Sequence, residues 1–174
     1  MLKPATITVD SDGTCFTHEF PLIGKNIGAE FVLKALTDNG HLLISNTMRC
    51  DHEFVPNSLD PDITNIKGLF LTEALDWYAQ HNIPLYGIQE NPTQHSWTSS
   101  KKPYSVYDID DINIGCPLLF VSQLSSRKFV DWVETSLLLW QQDLITSSQY
   151  RTLVKQITDY FKRQYDIDYI KIDK

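Results

Sequence analysis

Short apolar runs alternate with amphipathic stretches along most of the chain. Ala5 to Val9 is rich in β-branched residues and stops at Asp10-Ser11-Asp12-Gly13, so a strand leading into a turn is expected. From Ile27 to Asp38 the apolar residues Ile27, Phe31, Val32, Ala35 and Leu36 recur at helical spacing, and Asn39-Gly40 supplies a stop. His41 to Ser45 reads as a second strand, running into Asn46-Thr47-Met48-Arg49. Residues 50–67 show no period and carry two prolines, two asparagines and several aspartates, which predicts a surface loop of unusual length. The helical pattern resumes over Leu69 to Gln80, Ile83 to Ile88 forms a third strand, and a polar stretch, Gln89 to Pro103, precedes a fourth strand over Val106 to Ile109.

The last third has a different texture. After a short apolar run, Pro117 to Val121, Phe129 to Trp140 places Phe129, Trp132, Val133, Leu137 and Trp140 on one side of a helix. A second helix runs to about Tyr165 with Ser147 or Ser148 as its cap, and Ile167 to Ile172 forms a short strand or frays. Strands alternating with helices imply parallel β-α-β units, so the expected fold is α/β, a three-layer sandwich with a mostly parallel sheet. One domain is expected: a core over residues 1–120 and a helical extension, 121–174, packed on it.

Composition narrows the function classes. Fifteen basic residues face 22 acidic ones, a net charge of -7, so no extended nucleic-acid surface is expected and any phosphate site is local. Three widely spaced cysteines without a CxxC pair, the lack of a signal-peptide pattern and the lack of a long apolar run together suggest a cytoplasmic protein with no membrane span.

In parallel α/β sheets the carboxyl ends of the strands carry the site. Three of the four expected strands end in reactive residue types: Asp10 and Asp12, then Thr47, then Asp110 and Asp111. Two carboxylates at i and i+2 can face one pocket if the chain turns at the second, and Gly13 makes that turn cheap. One carboxylate can attack phosphorus while the other moves a proton, but attack on a dianionic phosphate is opposed by repulsion and calls for a cation such as Mg²⁺. Asp10 with Asp110 or Asp111 can hold it, and Thr47 with Lys101 or Lys102 can hold phosphoryl oxygens. An EF-hand is excluded, because Cys15 and Pro21 stand where that loop needs Gly and Glu. Cys50 and His52 lack the second pair of a zinc site.

These residues carry a family resemblance. Asp10-Ser11-Asp12-Gly13-Thr14 resembles the first signature of the haloacid dehalogenase superfamily, Thr47 after a hydrophobic strand the second, Lys102 the third, and Asp110-Asp111 the fourth. His18-Glu19-Phe20-Pro21, Asn46-Thr47-Met48-Arg49, Glu90-Asn91-Pro92 and Ile109 to Gly115 are similar to a small hydrolase subgroup of bacteria and phages. The resemblance spans about residues 5–120 and implies a Rossmann-like fold and a Mg²⁺-dependent phosphohydrolase acting through an aspartyl-phosphate. It implies Asp10 as nucleophile, Asp12 as general acid/base and ligand through its carbonyl, Thr47 and Lys102 as phosphate binders, and Asp110 as metal ligand with Asp111 as alternative or second. Gly13, Thr14 and Arg49 are the candidate substrate-binding residues, although an arginine such as Arg49 commonly serves a structural ion pair instead. Ser11 and Ser45-Asn46 depart from the subgroup, which usually has apolar residues there.

The spacing leaves room for a short flap, Cys15 to Lys25, and no full cap domain. The expected substrate is a phosphomonoester such as a nucleotide, a phosphorylated metabolite or a polymer end; an open site suits a large phosphorylated substrate, or one closed by loop 50–67 or by an oligomeric partner. His18 and Glu19 of the flap are placed to touch substrate or to lie on the surface. The alternative function is a catalytically weak binding or regulatory module that recruits a partner through its C-terminal helices.

Overall fold

The structure is a computed structural model and describes residues 2–51, 53–54 and 66–172. The central sheet has four parallel strands: β1 (Thr6–Val9), β2 (Leu42–Ser45), β5 (Gly87–Ile88) and β6 (Tyr107–Ile109), in the order β5-β2-β1-β6. Two further pairs are antiparallel: β3 (Glu53–Phe54) with β4 (Ile66–Lys67), and β7 (Leu118–Leu119) with β8 (Phe129–Val130). The helices are α1 (Ala29–Asp38), α2 (Phe70–Gln80), α3 (Trp132–Gln141) and α4 (Ser147–Tyr165). The fold is a Rossmann-like three-layer α/β arrangement.

Strand alternation explains the layers. Ile7 and Val9 of β1 share a face with Leu43 of β2, and all three join one hydrophobic cluster with Val32 and Leu36 of α1, Leu139 of α3, and Ile157 and Phe161 of α4. Each such buried side chain contributes about 1.5–3 kcal/mol relative to exposure. Gly28, at φ 96°, precedes α1, and a Cβ there would lie 3.0 Å from Ile157; its bare backbone lets α1 and α4 approach closely. The opposite face carries Thr8 and Ile44, and is covered by the segment from Glu90 to Val106, which contains a single 3-10 turn, Gln94–Ser96.

Several boundaries differ from those the periodicity predicts. Only Gly87–Ile88 of the expected third strand pairs, with β2. The helix expected from Phe129 begins at Trp132, because Phe129–Val130 pairs with Leu118–Leu119 and the carboxylate of Asp131 accepts from Val133 N and Glu134 N as the cap. The cap of α4 is Thr146, in a reciprocal capping box with Gln149, and neither Ser147 nor Ser148. The tail ends in a 3-10 turn, Tyr169–Lys171. Most of the long loop expected at 50–67, with His52, lies outside the described residues. Asp51 accepts from both the backbone N and the hydroxyl of Thr72 in the first turn of α2. No helix among the described residues is long and apolar enough to cross a membrane.

Candidate active site

Successive strands from β1 step outward to β2 and β5, whereas β6 lies on the other side of β1. The strand order therefore reverses between β1 and β6, and a crevice opens at the carboxyl ends of such a pair. Asp10 and Asp110 sit there as the first residues past the two strands, tied level by the Asp10 N to Ile109 O hydrogen bond of 3.0 Å. Carboxylate oxygens of Asp10, Asp110 and Asp111 all lie within 4.8 Å of one another.

Crowding three acids has an electrostatic cost. Burial is the main force raising Asp10 to about 7; the Ser11 N–H opposes it, and the charges of Asp110, Asp12 and Asp111 add to it. Asp110 is also raised, first by burial and then by Asp111 and Asp108, against the Ile112 N–H. Among the described residues no lysine or arginine forms an ion pair with Asp10, Asp110 or Asp111. An all-oxygen donor set without a lysine or arginine counter-charge fits a hard divalent cation such as Mg²⁺ better than a softer metal.

The supports of the cluster come from distant segments. His18 of the flap places Nε2 3.1 Å from Asp111 Oδ2, and the Asp111 N–H donates to Thr14 Oγ1 at 3.1 Å. Thr14, expected to bind substrate, is fully buried; its hydroxyl accepts from Asp111 N and its carbonyl from Trp132 Nε1, so in the structure it positions Asp111 and α3. Gly13 likewise is not open to substrate. Its N–H donates to Phe16 O, and at φ 79° a Cβ would fall 2.1 Å from His18 Nε2 and 2.9 Å from the Asp111 carboxyl carbon. Glycine is needed there so that the flap can close down on the cluster.

Arg49, expected to bind substrate, is 2% exposed and serves the structure instead. Its Nε and Nη2 donate to the two Asp12 oxygens at 2.7 Å, and Nη1 and Nη2 donate to the carbonyls of Pro21 and Leu22. The guanidinium also lies over the rings of Phe16 and Phe20. A bidentate pair of this kind fixes direction as well as charge, so Asp12 and the flap are locked together. Asp12 stands apart from the three-carboxylate cluster, and its side chain is not among the converging oxygens.

Thr47 lies at the end of β2, where Asn46 N donates to Val9 O and keeps the two loops level. Its hydroxyl accepts from Arg49 N at 3.3 Å and retains its own proton to donate. Gln89, which the sequence reading passed over, holds the Thr47 backbone from both sides: its Oε1 accepts from Thr47 N and its Nε2 donates to Thr47 O. The available signal was a polar residue just past a strand at the same sheet edge. Lys101 and Lys102 are exposed, and Lys102 lines a cavity with Asn46 and Asp108 without pairing to the carboxylate cluster. Ser11 is fully buried, and its hydroxyl has no hydrogen-bond partner among the described residues. Behind Asp10, the Cys15 thiol donates to the Asp10 carbonyl and lies 3.1 Å from Tyr78 Oη; burial pushes both the thiol and the phenol well up.

No family model matches the chain, and no curated protein does. Among solved structures it is similar to a conserved protein coded by a locus of Bacteroides thetaiotaomicron. The identity is 26%, covering 84% of this chain and 97% of that one, with a TM-score of 0.55. The two share a fold. That likeness supports the Rossmann-like architecture and leaves the chemistry to be argued from the site.

Proposed function

We propose that the protein is a Mg²⁺-dependent phosphomonoesterase of the haloacid dehalogenase type, in which Asp10 takes up the phosphoryl group. The observation that carries this reading is the convergence of Asp10, Asp110 and Asp111 at the strand-order reversal, with His18 beside Asp111 and no lysine or arginine paired to the three among the described residues. The order of the Asp10, Thr47, Lys102 and Asp110 motifs along the chain is consistent with it.

Asp10, Asp110 and Asp111 would hold the ion, together with the Asp12 carbonyl. A bound Mg²⁺ would offset their charge and polarise a phosphoryl oxygen, making attack by one anion on another feasible. Asp10 then forms a bond to phosphorus as the bond to the ester oxygen breaks, and the departing alcohol takes a proton from Asp12. In the second step water attacks phosphorus and gives a proton to Asp12, the bond between phosphorus and the Asp10 oxygen breaks, and inorganic phosphate leaves with Asp10 restored. Arg49 aims the Asp12 carboxylate, and one of their two hydrogen bonds must yield while Asp12 carries the proton. Thr47 and Lys102 receive the phosphoryl oxygens, which requires the exposed Lys102 to turn toward Asp10. A small-molecule or polymer-end phosphoester, a reducing cytoplasmic setting for the three free cysteines, and closure by a second copy all belong to the same reading.

The binding-module alternative draws on one observation: both Asp12 oxygens are occupied by Arg49. Its partner surface is less well supported, since α3 and α4 turn Trp132, Val133, Leu153, Ile157 and Phe161 into the core and Trp140 stacks on Tyr150. Phosphate release from a panel of phosphomonoesters, with and without Mg²⁺, separates the two. Metal-dependent turnover that disappears in Asp10→Asn is expected; a folded, Mg²⁺-binding wild type that turns over nothing would favour the module.

A further inference from the structure

A second recess borders the two strands that lead into Asp10 and Asp110. Thr8 and Asp108 are paired in register and stand two residues before Asp10 and Asp110, roughly 7 Å down the strands. Residues 90–106 form a roof here, and between roof and sheet lies a cavity of about 510 Å³ bordered by Thr8, Asn46, Trp97, Lys102, Tyr104 and Asp108. Its size falls in the range of small-molecule sites.

The roof is organised, and its two aromatic side chains border the recess while remaining partly open to solvent. Gln94, 1% exposed, donates through Nε2 to the carbonyls of Ser100 and Lys102 and accepts from Tyr104 N, while Asn91 Nδ2 donates to Tyr104 O. These bonds fix a loop that presents Trp97 and Tyr104 edge to face, ring centroids 5.5 Å apart, at 61% and 51% exposure. An indole and a phenol held open beside a lysine, an asparagine and hydroxyls form a surface for a planar ring with polar edges.

We propose that this recess receives the leaving group of the phosphomonoester, and that the leaving group carries a heteroaromatic ring: the substrate class is a nucleoside monophosphate. The proposal rests on the phosphatase reading for the position of the phosphate, next to Asp10; Lys102 borders the recess. A pentose bridges the distance along the sheet. The net charge of -7 disfavours a polyanion, so a mononucleotide suits the site better than the end of a nucleic acid.

The test compares kcat/KM for a nucleoside 5′-monophosphate with that for glycerol 3-phosphate, in wild type, Trp97→Ala and Trp97→Phe. The wild type is expected to prefer the nucleotide. Trp97→Ala is expected to reduce that preference about tenfold or more, and Trp97→Phe, which keeps a ring, to reduce it less. An unchanged preference in a Trp97→Ala protein with native circular dichroism overturns the proposal. The recess is also read without turnover, by quenching of tryptophan fluorescence in Asp10→Asn titrated with the same nucleotide. Quenching that disappears in Asp10→Asn/Trp97→Phe supports the ring site even if the wild type hydrolyses neither ester, an outcome that sinks only the phosphatase reading. Absence of quenching sinks the ring site.

Discussion

Asp10 is held in a setting that opposes its own ionisation, and replacing it should therefore stabilise the protein while removing its chemistry. In the folded chain its carboxyl is raised to about 7 from an ordinary 3.8. Below about pH 4 the group is protonated in both folded and unfolded states and costs nothing. Between about pH 4 and pH 7 the unfolded chain gives up the proton and the folded one keeps it, so stability falls as pH rises through this window, and the loss is complete above it. A gap of about three pH units corresponds to ~4 kcal/mol, and partial solvent access lowers this to about 2 kcal/mol. Asp10→Asn carries no charge to desolvate and should raise the Tm by about 4–8 °C at pH 8 without Mg²⁺, with little change near pH 4. Added Mg²⁺ acts in the opposite sense: at a hundredfold excess over its Kd it stabilises the wild type by about 2.7 kcal/mol and the variant by less. Differential scanning calorimetry at pH 4, 6 and 8, with EDTA and with Mg²⁺, reads all four quantities. A variant less stable than wild type at pH 8 in EDTA, or a gain independent of pH, would refute the reasoning.

Three further outcomes follow from the same contacts. Arg49→Met leaves Asp12 and the carbonyls of Pro21 and Leu22 without donors, and should cost about 3–5 kcal/mol in urea unfolding; a loss below about 1 kcal/mol would mean that the flap is anchored elsewhere. Thr14→Val strands the Asp111 N–H, and should weaken Mg²⁺ binding by about tenfold in isothermal titration with a stability loss of about 1–3 kcal/mol; unaltered affinity would remove Thr14 from the support of the cluster. Gly13→Ala forces His18 off Asp111, so the His18 ring resonances should shift in NMR spectra and Mg²⁺ affinity should drop; an unmoved His18 would contradict the packing described.

Much of the fold was legible in local pattern. The alternation of Thr6 to Val9, the helical spacing from Phe31 to Leu36, and the acids just past the first and fourth strands all appear in the structure at the expected places. Local pattern failed where pairing overrode it: Phe129–Val130 fits an amphipathic helix by periodicity, but the edge of β7 takes it as a strand and Asp131 starts the helix two residues later. In the candidate site, residue type was informative and partnership was not. Arg49 carries a guanidinium fit for a phosphate, and its sequence neighbourhood contains nothing to show that Asp12 and the flap carbonyls would claim it.

The sequence by itself determined the order of elements and the chemical inventory of the sheet edge. Both follow from interactions within a few residues: the two-residue and 3.6-residue periods, turn preferences and caps. Tertiary structure decided which members of that inventory meet. Asp12 finds Arg49 across 37 residues, His18 reaches Asp111 across 93, and Thr14 supports Asp111 across 97. Such distances close only when the crossovers stack the strands, and the energy that selects one partner over another comes from burial and from charges brought together in a medium less polar than water. That energy has no counterpart in the extended chain.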